Sequence, residues 1–454
     1  MHKDLNNHPS RRTFVKDTSL IAGGIMAMPI LSKANFFSGA DDVIKVAVIG
    51  CGGRGTGAAM QAISSKQNVK IVAMADAFKD NLDSCHKSLT EEINNSIGEL
   101  AKRLDVPEER RFTGFDGYQK AIAVADVVIL ATPPGFRPIH FAEAIKQGKH
   151  VFMEKPVATD PAGIQSVLAT AAIAKQKKLN VVVGLQRHYQ NSYRELFKRK
   201  DMIGEITSAQ AWWNNDGVWT RPRKAGQTEM EYQMRNWYYF NWLCGDHINE
   251  QHIHNLDVIN WFKEGYPVKA QGFGGRQVRN SKEHGEIFDH HFVEYHYADG
   301  SILNSQCRHI PGTMSKVDEL LVGTKGKIHC GQAKIVDHGG KVLFQFAKKG
   351  EPDPYQNEHD ELFAAIAKGE YKYADAENGA KSTMTSIMGR MATYSGQMIE
   401  WDKAINSGID IHPKVYDFNA APPVLPNADG FFMFKGLPSA TYKVSYDADA
   451  STGY

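Results

Sequence analysis

Cysteine is scarce in this chain. Five occur in 454 residues (Cys51, Cys85, Cys244, Cys307 and Cys330), and no two have CxxC spacing. That scatter excludes a zinc ribbon and a disulfide framework, and suits thiols buried in cores. Net charge is equally sparse: Lys+Arg 53 against Asp+Glu 51 leaves +2. No strong global field gathers nucleic acid or an anionic membrane, so a small molecule is the expected partner. Long apolar runs are missing too. The one membrane-like stretch, "TSLIAGGIMAMPIL", falls short of the roughly 20 residues a spanning helix needs. Internal repeats and low-complexity tracts are absent, and 42% hydrophobic with 23% charged residues excludes a disordered or collagen-like chain.

That short apolar stretch follows "SRRTFVK", Ser10 to Lys16. An arginine pair before an uncharged run reads as a twin-arginine signal over residues 1–34, the address of proteins exported already folded, with Ser32-Lys33-Ala34 as a small-x-small cleavage run. The alternative is a buried N-terminal helix after an incidental Arg-Arg. Export to the periplasm, after folding in a reducing cytoplasm, is the expectation, and it agrees with the unpaired thiols.

The remaining length favours two domains. "IKVAVIG", "VKIVAMAD", "ADVVILATPP" and "HVFMEKP" are short, β-rich apolar runs separated by helical segments such as "TGAAMQAISS" and "FRPIHFAEAIKQGK". Strands alternating with helices predict a doubly wound parallel α/β sheet over residues 43–160. Beyond residue 200 the period changes to two, as in "TSAQAWWNND", "VKAQGFGGRQV", "DHHFVEYHYADGSILNSQCRH" and "DELLVGTKGKIHC". This predicts an α+β second domain over 161–412 with a large, open, mostly antiparallel sheet. Two helices interrupt it, in "GDHINEQHIHNLDVINWFKEG" and over Glu377 to Trp401. A Pro- and Ala-rich tail, 413–454, is expected to wrap the body.

The first strand runs into Gly50-x-Gly52-x-x-Gly55, with Gly53 and Arg54 inside the loop; a helix and a second strand follow, ending at Asp76. This is the full context of a dinucleotide fingerprint. Gly50 allows the sharp turn, Gly52 lets backbone approach a pyrophosphate, and Gly55 lets helix pack on strand. Arg54 either adds a charge contact or lies in solvent. Asp76 stands where a carboxylate accepts a ribose 2′-hydroxyl and repels a 2′-phosphate, which selects NAD over NADP.

"MEKP", Met153 to Pro156, puts a lysine at the C-terminal end of a sheet strand, the rim where such sheets bind ligands. With the glycine loop, Asp76, Ala131-Thr132-Pro133-Pro134, Glu154-Lys155-Pro156 and "EQHIHNLDVINW", the chain resembles the Gfo/Idh/MocA family of sugar and inositol oxidoreductases. The resemblance implies a Rossmann domain and an open-faced sheet with the nicotinamide between them. It carries the working lysine to Lys155 and the working histidine to His254, and adds Thr132, Pro133, Glu154 and Lys155 to the cofactor site. The usual Asp-His-Asp helix pattern reads Glu250, His254, Asp257 here, its first acid one methylene longer.

Oxidising a secondary alcohol requires hydride loss from carbon and proton loss from oxygen. His254 is the candidate general base, and Lys155 the group that hydrogen-bonds the oxygen; their roles are interchangeable at this level. Glu250, one helical turn earlier, orients the imidazole or binds a sugar hydroxyl. His247, Glu250 and His254 recur at i, i+3 and i+7, a metal-ligand spacing, but the His-Glu-x-x-His form is missing and no metal is assigned. At most one of His290 and His291 faces the cleft. Trp212, Trp213, Trp219, Trp237, Tyr238, Tyr239 and Trp242 crowd its mouth, and two of them are expected to stack on a carbohydrate. Arg187, His188 and Tyr189 either border the cleft or join the domains.

The expected function is an NAD-dependent oxidoreductase acting on a secondary hydroxyl of a sugar or glycoside, with the cofactor tightly bound because little free dinucleotide exists outside the cytoplasm. The alternatives are an NAD-dependent glycoside hydrolase using transient sugar oxidation and a non-catalytic sugar-binding relative. A homo-oligomer through the open sheet is expected.

Overall fold

The structure, a computed structural model, describes residues 42–95 and 99–432. The predicted export segment and the tail beyond 432 lie outside the described residues.

Six parallel strands form the first sheet in the order β3-β2-β1-β4-β5-β6: β1 Ile44–Ile49, β2 Val69–Asp76, β3 Arg111–Thr113, β4 Val127–Leu130, β5 His150–Met153 and β6 Val181–Val183. The apolar runs are continuous because both faces are covered. Val46 and Val48 of β1 pack with Ala58, Ala62, Leu82 and Leu89 on one side. These come from helices α1 (Gly53–Ile63) and α2 (Lys79–Asn95). Ala47 and Ile49 pack with Ile122, Phe141, Ile145 and Ile164 on the other. Those belong to α3 (Gly117–Ala123), α4 (Arg137–Lys146) and α5 (Pro161–Gln176). Asp160 caps α5 by accepting from Gly163 N at 2.7 Å, with Pro161 at the first helical position.

The parallel sheet does not stop at residue 160. The "VVV" of β6 pairs with β5, so the sheet runs into the stretch that the sequence reading placed in the second domain. Much later in the chain, α7 (Pro354–Ala367) returns to this sheet and buries Leu362, Phe363 and Ile366 with Phe152 and Val182. Sequence separation hid this crossing.

The second sheet has nine strands in the order β14-β13-β12-β11-β7-β10-β9-β8-β15. Central β7 (Ile206–Asn215) pairs parallel with β10 (Ile302–His309) and antiparallel with β11 (Lys316–Gly323). The outer members are β8 (Lys269–Gly275), β9 (His290–His296), β12 (Gly326–His329), β13 (Lys334–Asp337), β14 (Val342–Gln345) and β15 (Ile399–Glu400). Burial alternates strictly along β9, as the period-two pattern requires.

The inner face is covered by α6 (Ile253–Lys263) and α8 (Ala376–Ser395). The late helix ends sooner than its predicted Trp401, because Gly396 adopts φ +71° as a left-handed cap; a two-residue strand and a short helix follow. The "GDHINEQHIH" helix is likewise broken into His247–Glu250 and α6.

Candidate active site

The C-terminal ends of the parallel strands open into a cleft of about 780 Å³ whose other wall comes from the second sheet and the 219–237 segment. Gly50, Gly52, Gly53, Arg54, Asp76, Thr132, Pro133, Glu154, Lys155, Glu250 and His254 all line it. The topology therefore joins two sets of residues that the sequence separates, one at the strand ends and one on the helices after β7.

Gly50 has φ +93°, and a Cβ there would lie 2.5 Å from the Ala131 carbonyl carbon. A Cβ on Gly55 would lie 1.8 Å from the Gly50 oxygen, so strand and helix touch backbone to backbone. Above Gly52 and Gly53 nothing lies within 4 Å, so their backbone faces open ground at the start of α1. Asp76 ends β2, accepting from Cys51 N at 2.7 Å and Phe78 N at 2.9 Å. Burial raises its pKa, while those two N–H donors oppose the rise. Open backbone at a helix start with a carboxylate at the next strand end fits a dinucleotide.

Arg54 lies in the cleft lining, partly exposed. It crosses to Glu154, Nε to Oε1 2.8 Å, and also meets Gln61 and the Tyr355 ring. Arg137 was not anticipated: it is buried and donates to the carbonyls of Leu130 and Thr132, pinning the chain where it leaves β4. Its only trace in the sequence is its place at the start of "RPIHFAEAIK".

Lys155 reaches the second wall. Its Nζ donates to the Glu250 carbonyl at 2.6 Å and to Glu250 Oε1 at 3.0 Å, with both side chains 11% exposed. His254 lies further along the same wall, its ring stacked on Trp213 at 6.0 Å. Burial first, then the charges of Lys155 and Arg187, hold His254 well below the ordinary histidine range. The imidazole is therefore neutral near pH 7, the form that accepts a proton. Glu250 Oε2, His254 Nδ1 and Trp213 Nε1 are buried without a hydrogen-bond partner among the described residues. Buried polar atoms rarely stay unpaired, and a ligand rich in hydroxyls would pair them.

Of the seven aromatics, Trp213, Trp219 and Trp237 line the cleft. Tyr238, Tyr239 and Trp242 are core, and Trp212 sits under Lys316 Nζ at 3.2 Å. Asp257 is outside the cleft lining; it binds His188 at 2.8 Å, Ser382 and Asn378. Arg187 pairs with Glu319 and Tyr189 with Asp375, so the 187–189 turn joins the two sheets rather than lining the cleft.

His247 turns away from Glu250 and His254 to Asp246, Nδ1 to Oδ1 2.8 Å, and His252 to Ser305 at 2.7 Å. Neither His290 nor His291 lines the cleft: His290 binds Asp289, and His291 is buried against Thr393. The His and acid groups that converge among the described residues are Asp246/His247/His291 and Asp160/Asp410/His412, so the predicted i, i+3, i+7 face does not gather. All five cysteines are buried and free.

Comparison with known proteins agrees with this geometry. Residues 44–185 match the oxidoreductase-family domain GFO_IDH_MocA, an NAD-binding Rossmann fold. These residues are similar to the NAD-binding domain of the Gfo/Idh/MocA oxidoreductase family.

Outside this Gfo/Idh/MocA domain the relatives extend the match. An inositol 2-dehydrogenase from Cereibacter sphaeroides is 22% identical over 358 residues, 76% of this chain and 92% of that protein. An uncharacterized oxidoreductase from Streptococcus pneumoniae is 22% identical over 257 residues, covering 57% of this chain and 60% of its own length. The crystal structure of a scyllo-inositol dehydrogenase from Lactobacillus casei, with bound NAD(H) and scyllo-inositol, superposes with TM-score 0.60 at 19% identity. It covers 80% of this chain and all of that one, so the fold of the second half is shared as well.

Proposed function

We propose that this chain oxidises a secondary hydroxyl of a sugar, polyol or glycoside with a tightly held NAD. The observation that carries the reading is the convergence of Lys155 and His254 on the cleft that holds the glycine loop and Asp76. NAD, when bound, supplies the hydride acceptor. Lys155 hydrogen-bonds the reacting oxygen and stabilises negative charge on it, and neutral His254 takes the hydroxyl proton. Glu250 fixes the lysine head and offers its second oxygen to a neighbouring hydroxyl. Trp213, Trp219 and Trp237 present ring faces to the apolar C–H face of a sugar. Asp76 selects NAD by its charge.

The "SRRTFVK" leader supports export of the folded holoenzyme by the twin-arginine route to the periplasm, and buried free thiols suit folding before transit. Among the described residues no helix is long and apolar enough to cross a membrane. The outer face of the second sheet carries Phe273, 66% exposed and stacked on Phe292, with Val342 also exposed. A second copy of the chain is its proposed cover, and light scattering tests it.

The activity test uses protein purified without added cofactor. Its spectrum and mass should reveal NAD or NADH. Incubation with inositols, aldoses and glycosides should give products two daltons lighter; split glycosides would instead support the hydrolase alternative. Lys155→Ala should slow turnover by about 10²–10⁴-fold while the dinucleotide stays bound. Turnover surviving that change removes the assignment.

A further inference from the structure

Residues 409–432 cross between the two walls of the cleft. At one end, Ile411 N donates to Asp160 Oδ2 at 2.8 Å and His412 pairs with the same carboxylate at 3.0 Å, next to the first turn of α5. At the other end, Thr228 Oγ1 donates to Phe418 O at 2.5 Å, Gln233 Nε2 donates to Val424 O at 2.7 Å, and Phe432 packs on Phe240 at 4.8 Å. The strap is therefore fastened to both sides.

Between the fastenings it presents two rings. Phe418 lies 5.4 Å from Phe78 and 4.8 Å from Phe115; Tyr416 lies 6.1 Å from Phe115 and 5.4 Å from Phe136. Phe78, Phe115 and Phe136 all line the cleft, and Phe78 is the residue whose N–H holds Asp76. Arg235 closes the far side of Phe78, 4.0 Å above its ring, and pairs with Asp80. The strap thus backs the part of the wall beside the β2 carboxylate, where a ribose hydroxyl binds. Aromatic pairs of this geometry contribute beyond their buried area, and a wall held from behind costs less order when a ligand binds.

The geometry points to Tyr416 and Phe418 as positioning residues that fix the adenosine end of the dinucleotide site and set how long the cofactor stays. This rests on the dinucleotide reading above and extends it: retention through many turnovers is built into a segment some 340 residues downstream of the acid it serves. Neither ring lines the cleft, so both act through the three phenylalanines.

The test uses the full chain, stripped of nucleotide, with ADP-ribose, nicotinamide mononucleotide and NADH as probes. In Phe418→Ala, ADP-ribose affinity should fall and NADH release should quicken, each by about tenfold, while nicotinamide mononucleotide affinity is unchanged. Phe418→Leu, which keeps an apolar side chain there, should recover much of the loss. Tyr416→Ala reads the same quantities with a smaller change, and serves if Phe418→Ala does not fold. Unchanged ADP-ribose affinity, or an equal loss for both half-ligands, overturns the strap assignment and leaves the dinucleotide reading standing. A wild-type protein that binds neither ADP-ribose nor NADH overturns both.

Discussion

Three histidines of one short stretch take different fates, and their surroundings decide which. His254 faces the cleft beside Lys155, whereas His252 is buried against Ser305 and His247 against Asp246. Lysine charge is one of the causes that lower the pKa of His254. Lys155→Met should therefore move its titration upward, toward the ordinary value near 6.5, as read by NMR of ring-labelled protein. Turnover cannot report this, because the same change removes the lysine.

His252 makes a different prediction. Burial lowers its pKa to about 3, so between roughly pH 6.5 and that value the unfolded chain binds a proton that the folded chain refuses. Its effect on stability is absent above the unfolded pKa and grows as pH falls. His252→Asn removes this dependence. The stability difference between wild type and variant should therefore change by about 2 kcal/mol in total, in the variant's favour, as urea melts move from pH 6.5 to 4.5. No change across that window would show that His252 is protonated in the fold.

At the scale of elements, the glycine loop is the most constrained. Gly55→Ala sets a methyl against the Gly50 carbonyl, and should abolish dinucleotide binding in calorimetry even where the protein still folds. Gly57, two residues on in the same helix, meets only the Arg54 side-chain tip at 3.8 Å. Gly57→Ala should raise stability by about 0.5–1 kcal/mol, measured by thermal melting, because the unfolded chain loses freedom at no native cost.

This contrast marks what periodicity makes legible. β1, β2, β4 and β5 were readable because a strand covered on both faces must be apolar throughout, and the outer sheet because one-sided burial forces alternation. α7 belongs to the first sheet through contacts made some 300 residues after β1, and leaves no local pattern. The early stop of α8 was signalled by Gly396, but the apolar residues continuing to Trp401 masked it. Among the cleft residues, Asp76 and Lys155 were visible because strand ends are where such sheets bind ligands. Arg137 was not visible, since a buried guanidinium bonded to two carbonyls looks like any helix-start arginine.

For the molecule as a whole, the cleft exists only because the two sheets are locked together. Arg187, at the end of the first sheet, pairs with the fully buried Glu319 of β11, which also accepts from Tyr193 and Asn255. Arg187→Met leaves that carboxylate without its cation in the interior. Stability should drop by about 3–5 kcal/mol in urea unfolding, and Arg187→Met with Glu319→Gln should recover part of the loss. A loss below 1 kcal/mol for the single change would mean that the pair is not holding the sheets.

Sequence by itself determined the cofactor half. The order strand, glycine turn, helix, strand and acid is local, because each step follows from side-chain periodicity or backbone freedom within a few tens of residues. Only tertiary structure decided the other half. Lys155 meets Glu250 across 95 residues, three of the seven aromatics face the cleft, and the C-terminal strap reaches back to Phe78. Those outcomes depend on how one sheet docks on another, and docking is set by summed burial over both faces rather than by any pattern readable along the chain.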